Sequence, residues 1–194
     1  VFRPKIEVYD KNRDGILSDS ENRKITKLEF EKSIETNGIE YLSYLKKLVL
    51  ADDICSVMNS SSLEEIEMSD AYTDNHLRVV SFAGCTALKS LSIDASINSD
   101  AGIDFTGCKK LETLTIRKYM GAALDLSPCI ALKKLDIENL YGKDRSSTAK
   151  LDLNSQQKLL ELSLKAVKLS DDFVLPRSVQ KVHVERISSK KLDL

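Results

Sequence analysis

The chain has no tryptophan, only two histidines, three prolines and seven glycines in 194 residues. Its histidines, His76 and His183, lie far apart in sequence. A His-based zinc cluster is therefore out of reach, and a hydrolase triad has little to draw on. The four cysteines, Cys55, Cys85, Cys108 and Cys129, show no C-x-x-C spacing, which weakens zinc-ribbon and redox readings. An excess of one charge is also missing: 29 Lys+Arg stand against 30 Asp+Glu, a formal net charge of −1. That balance argues against a nucleic-acid binder, which neutralises phosphates with a basic excess. No apolar run approaches the roughly 18 residues of a membrane span, so no transmembrane segment is expected. Nor does an apolar leader follow Val1, which reads as the start of a trimmed or mature fragment. What is present, 42% hydrophobic residues at about one domain's length, suffices for a folded core.

The apolar residues repeat. The pattern apolar-x-x-apolar-x-apolar begins at Ile25, Leu45, Leu63, Leu88, Leu111, Leu132, Leu159 and Val179, eight starts spaced 18 to 27 residues apart. Their mean spacing of 22 residues falls in the leucine-rich-repeat range. A smaller alternating motif precedes several of them: Val80-Ser-Phe82, Ile103-Asp-Phe105, Leu124-Asp-Leu126 and Leu151-Asp-Leu153. Phe173 and Leu175 take the same role before Val179, and Leu192-Asp-Leu194 closes the chain half a repeat later. Each unit thus supplies one short strand and a return segment, and only stacking buries their apolar sides. Cys85, Cys108 and Cys129 share one repeat position, three residues before a leucine. They read as a ladder of buried reduced thiols; disulfides between neighbouring coils would leave one unpaired. Cys55 is off this register.

The segments Phe82-Ala-Gly-Cys-Thr-Ala-Leu-Lys-Ser-Leu-Ser-Ile93 and Phe105-Thr-Gly-Cys-Lys-Lys-Leu-Glu-Thr-Leu-Thr-Ile116 resemble BspA-like leucine-rich repeats of bacterial surface proteins. The likeness is clearest over 80–137 and extends more loosely from Ile25 onward. Where the leucine-rich-repeat consensus has Asn three residues after the strand, this chain has Ser96, Tyr119 and Leu140, so less regular coils are expected. The expected architecture is an α/β solenoid, a right-handed leucine-rich-repeat coil of about eight short parallel strands over 25–194. An EF-hand-like cap is expected over 1–24.

That cap rests on residues 10 to 21. Asp10, Asn12 and Asp14 place oxygens at loop positions 1, 3 and 5, Gly15 makes the sharp turn at 6, and Glu21 stands at 12. Ile16 would lend its carbonyl from position 7, and Ser18 at position 9 would hold a water. The cofactor expected is Ca²⁺. Phe2, Ile6 and Tyr9 would share one face of a short entering helix, and the exit helix can run only from Asp19 to about Lys24. A single loop feeding straight into repeats suits a fixed cap rather than a sensor with two mobile helices.

Period-two alternation assigns three outward columns to the strands, expected to form the concave face. One runs Lys27, Lys47, Glu65, Ser90, Thr113, Lys134, Glu161, Lys181; the next Glu29, Val49, Glu67, Ser92, Thr115, Asp136, Ser163, His183. The third runs Glu31, Ala51, Ser69, Asp94, Arg117, Glu138, Lys165, Glu185. Alternating acid and base within columns lets the sheet neutralise itself. Against that stands a ligand platform at Ser92, Thr115 and Arg117, where charge thins out. Tyr72, Tyr119 and Tyr141 follow their strands closely and are candidates for a binding rim. Loops lengthened near 70–76, 94–102 and 140–149 are further candidates.

No nucleophile, base and orienting group cluster in sequence, so no catalytic residues are assigned and an enzyme is not expected. The reading is a non-catalytic binding module for protein, less readily for glycan given the lack of Trp. The resemblance implies an extracellular or cell-surface home on a bacterium. The alternative is a structural spacer or assembly domain of a larger surface protein, self-associating through its uncapped C-terminal end.

Overall fold

The structure, a computed structural model, describes residues 7–31, 36–51, 56–69, 80–98, 102–121, 123–141 and 150–188. Each apolar-x-apolar triplet forms a strand, because alternation puts two side chains on one face and lets their neighbours meet water. In chain order these are β1 (Lys27–Phe30), β2 (Lys47–Ala51), β3 (Glu65–Ser69), β4 (Val80–Ser81), β5 (Ser90–Asn98) and β6 (Ile103–Asp104). They continue with β7 (Thr113–Met120), β8 (Ala123–Leu124), β9 (Lys134–Tyr141), β10 (Lys150–Leu151), β11 (Glu161–Lys165) and β12 (Lys181–Glu185). Eight of them form one parallel sheet in the order β1-β2-β3-β5-β7-β9-β11-β12. The register pairs Leu48 with Ile66, Ile66 with Leu91, Leu91 with Leu114 and Leu114 with Leu135, one repeat position against the next. The chain is therefore a parallel-strand β-solenoid.

The expected α/β character is corrected. The described residues hold one four-residue helix, α1 (Asp19–Asn22), and a single 3-10 turn at Ile39–Tyr41. Return segments are extended instead: β4 pairs with β6, and β8 with β10, in two small parallel sheets. Their sequence explains it. Val80/Phe82, Ile103/Phe105, Leu124/Leu126 and Leu151/Leu153 alternate with period two and are all buried, a pattern no helix could turn inward.

Between the strand and its return, the chain turns a corner on a left-handed residue. Lys118, Asn139, Ala166 and Arg186 occupy this position with φ of 59°, 57°, 51° and 52°. A side chain there costs about 1–2 kcal/mol. The corner is offset by what it buries next: Tyr119, Leu140 and Val167 are each no more than 1% exposed. β7 and β9 thus continue past the corner, so Tyr119 and Tyr141 sit in strands rather than in loops. β5 likewise runs to Asn98 across a shift in register after Asp94, where a loop over 94–102 was expected.

A second turn stacks with equal regularity. Asn59, Gly84 and Gly107 all have positive φ one residue before the ladder position. A Cβ on Gly84 would lie 2.5 Å from Asn59 Oδ1 and 3.0 Å from its Cα, so glycine there lets neighbouring coils close. Cys85, Cys108 and Cys129 are free and buried, as a thiol ladder requires. Cys85 Sγ donates to the Val57 carbonyl at 3.1 Å and Cys108 Sγ to Phe82 at 3.3 Å. Burial pushes the Cys108 and Cys129 thiols up to about 12, which keeps them protonated and unreactive. Gln156 continues the ladder in the next coil, its Nε2 donating to the Leu126 carbonyl at 2.7 Å. Cys55 lies outside the described residues.

Candidate functional sites on the cap loop and the outward sheet face

The N-terminal loop closes on its own carboxylates and amides. Asp10 Oδ2 accepts from the Gly15 N–H at 2.9 Å, Asn12 Oδ1 from Asp14 at 3.4 Å, and Asp14 Oδ1 from Ile16 at 2.8 Å. Ser18 caps α1, and Glu21, buried at 6% exposure, returns its carboxylate into the loop. Its Oε1 accepts from the Lys11 N–H at 2.7 Å; its Oε2 accepts from the Ser18 N–H at 2.9 Å and the Ser18 hydroxyl at 2.6 Å. Those bonds, from Ser18's hydroxyl first, hold the Glu21 carboxyl below the usual carboxylate range. Leu17 and Tyr9 pack on the core and anchor the loop, while Ile16 is 70% exposed.

The exit helix is four residues long; of the expected entering helix only Glu7–Tyr9 is described, as a turn, and Phe2 and Ile6 lie outside the described residues. Among the described residues no three His, Cys, Asp or Glu side chains gather into one metal cluster. One atom does fit a cation. Asp10 Oδ1, at loop position 1, is buried and accepts no hydrogen bond. A carboxylate oxygen without a partner away from water is costly, and a cation is the partner that would satisfy it.

On the sheet, all three outward columns stand in the expected register over its paired residues. Their charges pair as self-neutralisation requires. Lys47 Nζ bonds Glu67 at 2.7 Å and Glu65 at 2.9 Å, bonds that raise its pKa to about 12. Arg117 bonds Glu138 at 2.5 Å, with Lys165 3.6 Å from the other oxygen of that carboxylate. Glu161 stands between Lys181 at 2.7 Å and Lys134 at 3.6 Å, and Lys27 pairs with Glu29. Exposed pairs of this kind contribute about 0–1 kcal/mol each.

A fourth column, just ahead of the strands, runs Lys46, Glu64, Lys89, Glu112, Lys133. Sequence reasoning missed it, although the sign alternation at one repeat position is the signal that finds it. Glu64 contacts Lys89 at 2.6 Å and Lys46 at 3.0 Å, and Lys133 contacts Glu112 at 2.9 Å. Hydrogen bonds from Lys89 and then Lys46 hold the Glu64 carboxyl down to about 2, from an ordinary 4.5. Its folded pKa is depressed, so its contribution is complete above about pH 4.5 and is lost as pH falls toward 2. Urea midpoints measured at about pH 5 and pH 2.5 should therefore drop less in Glu64→Gln than in the wild type. Equal drops would show that the column carries no linkage.

The candidate ligand residues separate. Ser92 and Thr115 are register partners on β5 and β7, and with Ser90 and Thr113 they form a patch of four half-buried hydroxyls without charge. Arg117 lies on β7 beside them but is committed to Glu138. Tyr119 is corrected from rim to core: it is fully buried, and its hydroxyl donates to the Ala123 carbonyl at 2.8 Å. Tyr141 is half-buried on β9 beyond the corner, and Tyr72 lies outside the described residues. So do 70–79, 99–101 and 142–149, most of the lengthened loops.

A shallow depression of about 300 Å³ opens instead near the C-terminal end, over Lys134, Asp136, Glu161, Ser163, Lys181 and His183. Asp136, Ser163 and His183 are register neighbours on β9, β11 and β12. Serine occupies the middle strand, so the imidazole does not sit between hydroxyl and carboxylate as a nucleophile relay needs. No family model, curated protein or solved structure matches the chain.

Proposed function

We propose that this chain is a non-catalytic recognition module, a leucine-rich-repeat-type solenoid whose N-terminal loop is fixed by calcium. The orphaned Asp10 Oδ1 carries the calcium part of this reading. Asp10, Asn12 and Asp14 would hold the ion by their side chains, Ile16 by its carbonyl, Ser18 through a water, and Glu21 at the closing position. Glu21 Oε1 keeps a lone pair for it, whereas Oε2 is saturated until the Ser18 hydroxyl turns away. Bound calcium would neutralise the loop carboxylates and tie the turn at Glu7–Tyr9 to α1, closing the first coil.

The BspA-like resemblance of 80–137 supports display at a bacterial cell surface, where millimolar calcium suits a site of this kind. The recognition surface is the outward sheet, and the hydroxyl patch around Ser92 and Thr115 is its place of first contact. Lys47 and Arg117 nearby are already satisfied by Glu67 and Glu138, and the patch offers uncharged hydroxyls for hydrogen bonding. A protein partner fits better than a glycan, since no Trp is present to stack on sugar rings.

Interferometry against immobilised extracellular proteins and glycans tests this reading. A Thr115→Lys variant should weaken the best binder at least about tenfold, equivalent to about 1.4 kcal/mol. Binding untouched by Thr115→Lys and Ser92→Lys would place recognition elsewhere.

A further inference from the structure

The later coils enter their sheet strands through one recurring tight turn. The Leu111 amide donates to the Cys108 carbonyl at 3.2 Å, Leu132 to Cys129 at 3.2 Å, Leu159 to Gln156 at 3.1 Å and Val179 to Pro176 at 3.1 Å. The two residues inside each turn therefore stack coil on coil along one edge of the solenoid. Ahead of β7, β9, β11 and β12 these pairs are Lys109-Lys110, Ile130-Ala131, Gln157-Lys158 and Arg177-Ser178. None of them holds an acid, in a chain whose 30 acids outnumber its 29 bases.

Lys109, Lys110, Lys158 and Arg177 are exposed, and no ion pair among the described residues uses them. This sets the edge apart from the sheet face, where Lys47, Arg117 and Glu161 are paired. Glu112, one residue beyond Leu111, is paired with Lys133 at 2.9 Å and leaves the four cations uncompensated. Stacked at the usual strand spacing, those coils span roughly 14 Å. Two aliphatic side chains stand among the cations: Ile130 is 51% exposed and Leu160 39%. The core does not need them, since Leu132 and Leu159 fill it in those coils and are fully buried. Both lie inside the array, with a described coil on either side.

A soluble polyanion would use the cations and leave Ile130 and Leu160 in water. A lipid bilayer uses both, because anionic headgroups attract the cations while aliphatic side chains enter the boundary with the acyl chains. The shape agrees, since equivalent turns of stacked coils lie along a line that meets a flat surface all at once. We propose that this turn edge docks the chain on an anionic lipid bilayer. Lys109, Lys110, Lys158 and Arg177 sit at the headgroups, with Ile130 and Leu160 inserted beneath them. The docking edge borders the sheet, so the outward face stays open to a partner. This goes beyond the recognition reading and shares no residue with the hydroxyl patch or the calcium loop, so their failures are distinguishable.

Cosedimentation of the full chain with lipid vesicles in EDTA tests the proposal. Vesicles of equal phosphatidylglycerol and phosphatidylcholine should take up the chain at low ionic strength, and pure phosphatidylcholine should not. Uptake should fall as salt rises to about 0.15 M, where the screening length shortens to about 8 Å. Each cation at such a surface contributes on the order of fivefold in partitioning, so K109E/K110E should lose at least about tenfold. Ile130→Ser should lose at least about twofold on the anionic vesicles, while its retention by a soluble sulfated polysaccharide stays that of the wild type. Lys150→Glu, an exposed charge change on the return arm at β10, should remain within about twofold of the wild type. Equal uptake by the two kinds of vesicle, uptake by neither, or wild-type uptake of K109E/K110E would overturn the proposal. So would unchanged uptake of Ile130→Ser, which would make the edge a reader of soluble polyanions instead. The wild-type comparison of the two vesicles decides the first two points even if a variant misfolds.

Discussion

Replacing Phe105 by alanine should cost about 3–5 kcal/mol, among the largest single losses in the chain. Phe105 is 1% exposed, and its ring stacks on Phe82 of the preceding coil with centroids 6.0 Å apart and planes 17° from parallel. Leu126 holds the same place in the following coil and is fully buried. In a solenoid, stability is shared between each unit and its neighbours, so one cavity here weakens the interfaces on both sides. The aromatic pair adds about 0.5–1.5 kcal/mol beyond its buried area. Phe105→Leu, which keeps most of the volume, should cost less than about 1.5 kcal/mol. Urea unfolding of the three proteins separates these values. A loss below about 1 kcal/mol in Phe105→Ala would mean that the return arms are not packed as described.

Calcium should produce the second large effect. Extracellular loops of this class bind with dissociation constants of about 10⁻⁴–10⁻³ M. An ion at about a hundred times that constant stabilises the folded state by about 2.7 kcal/mol, provided the unfolded chain does not bind it. For a chain of this length that corresponds to a rise in melting temperature of roughly 5–10 °C. Asp10→Asn should lose the rise while keeping an acceptor for the Gly15 N–H, so its melting temperature without calcium should stay near the wild type. Equal calcium responses in both proteins would assign the stabilisation to some other site.

Strand positions were legible because one periodicity served two purposes. Leu91 and Ile93 mark a strand and, repeated as Leu114 and Ile116, fix its register with the next. The outward columns followed from the same alternation. Period alone did not reveal how each coil comes back. Leucine-rich repeats suggested helices, whereas Val80/Phe82 and Ile103/Phe105 carry a period of two, which was decisive once read as structure. The corners were hidden for a different reason. Lys118, Ala166 and Arg186 are residues that no turn propensity favours at positive φ, and after Lys118 and Ala166 the burial of Tyr119 and Val167 overrides propensity. Tyr119 was misplaced as a consequence, because a strand that bends and continues looks like a loop in sequence. Gln156 escaped notice because a side chain two bonds longer than cysteine reaches the same carbonyl from the same repeat position. At the loop, the donor pattern from Asp10 to Glu21 was visible throughout, but which oxygen stands unsatisfied was not. That depends on how the amides of Lys11, Gly15, Ile16 and Ser18 fall around the carboxylates.

The calcium-fixed cap is tested most directly by calorimetric titration of calcium into metal-stripped protein, with Asp10→Ala alongside. One ion per chain should bind to the wild type at about 10⁻⁴–10⁻³ M, and none to the variant. No binding heat in wild-type protein and no rise in melting temperature at millimolar calcium would contradict the account, and residues 10–21 would then be a turn closed by its own amides.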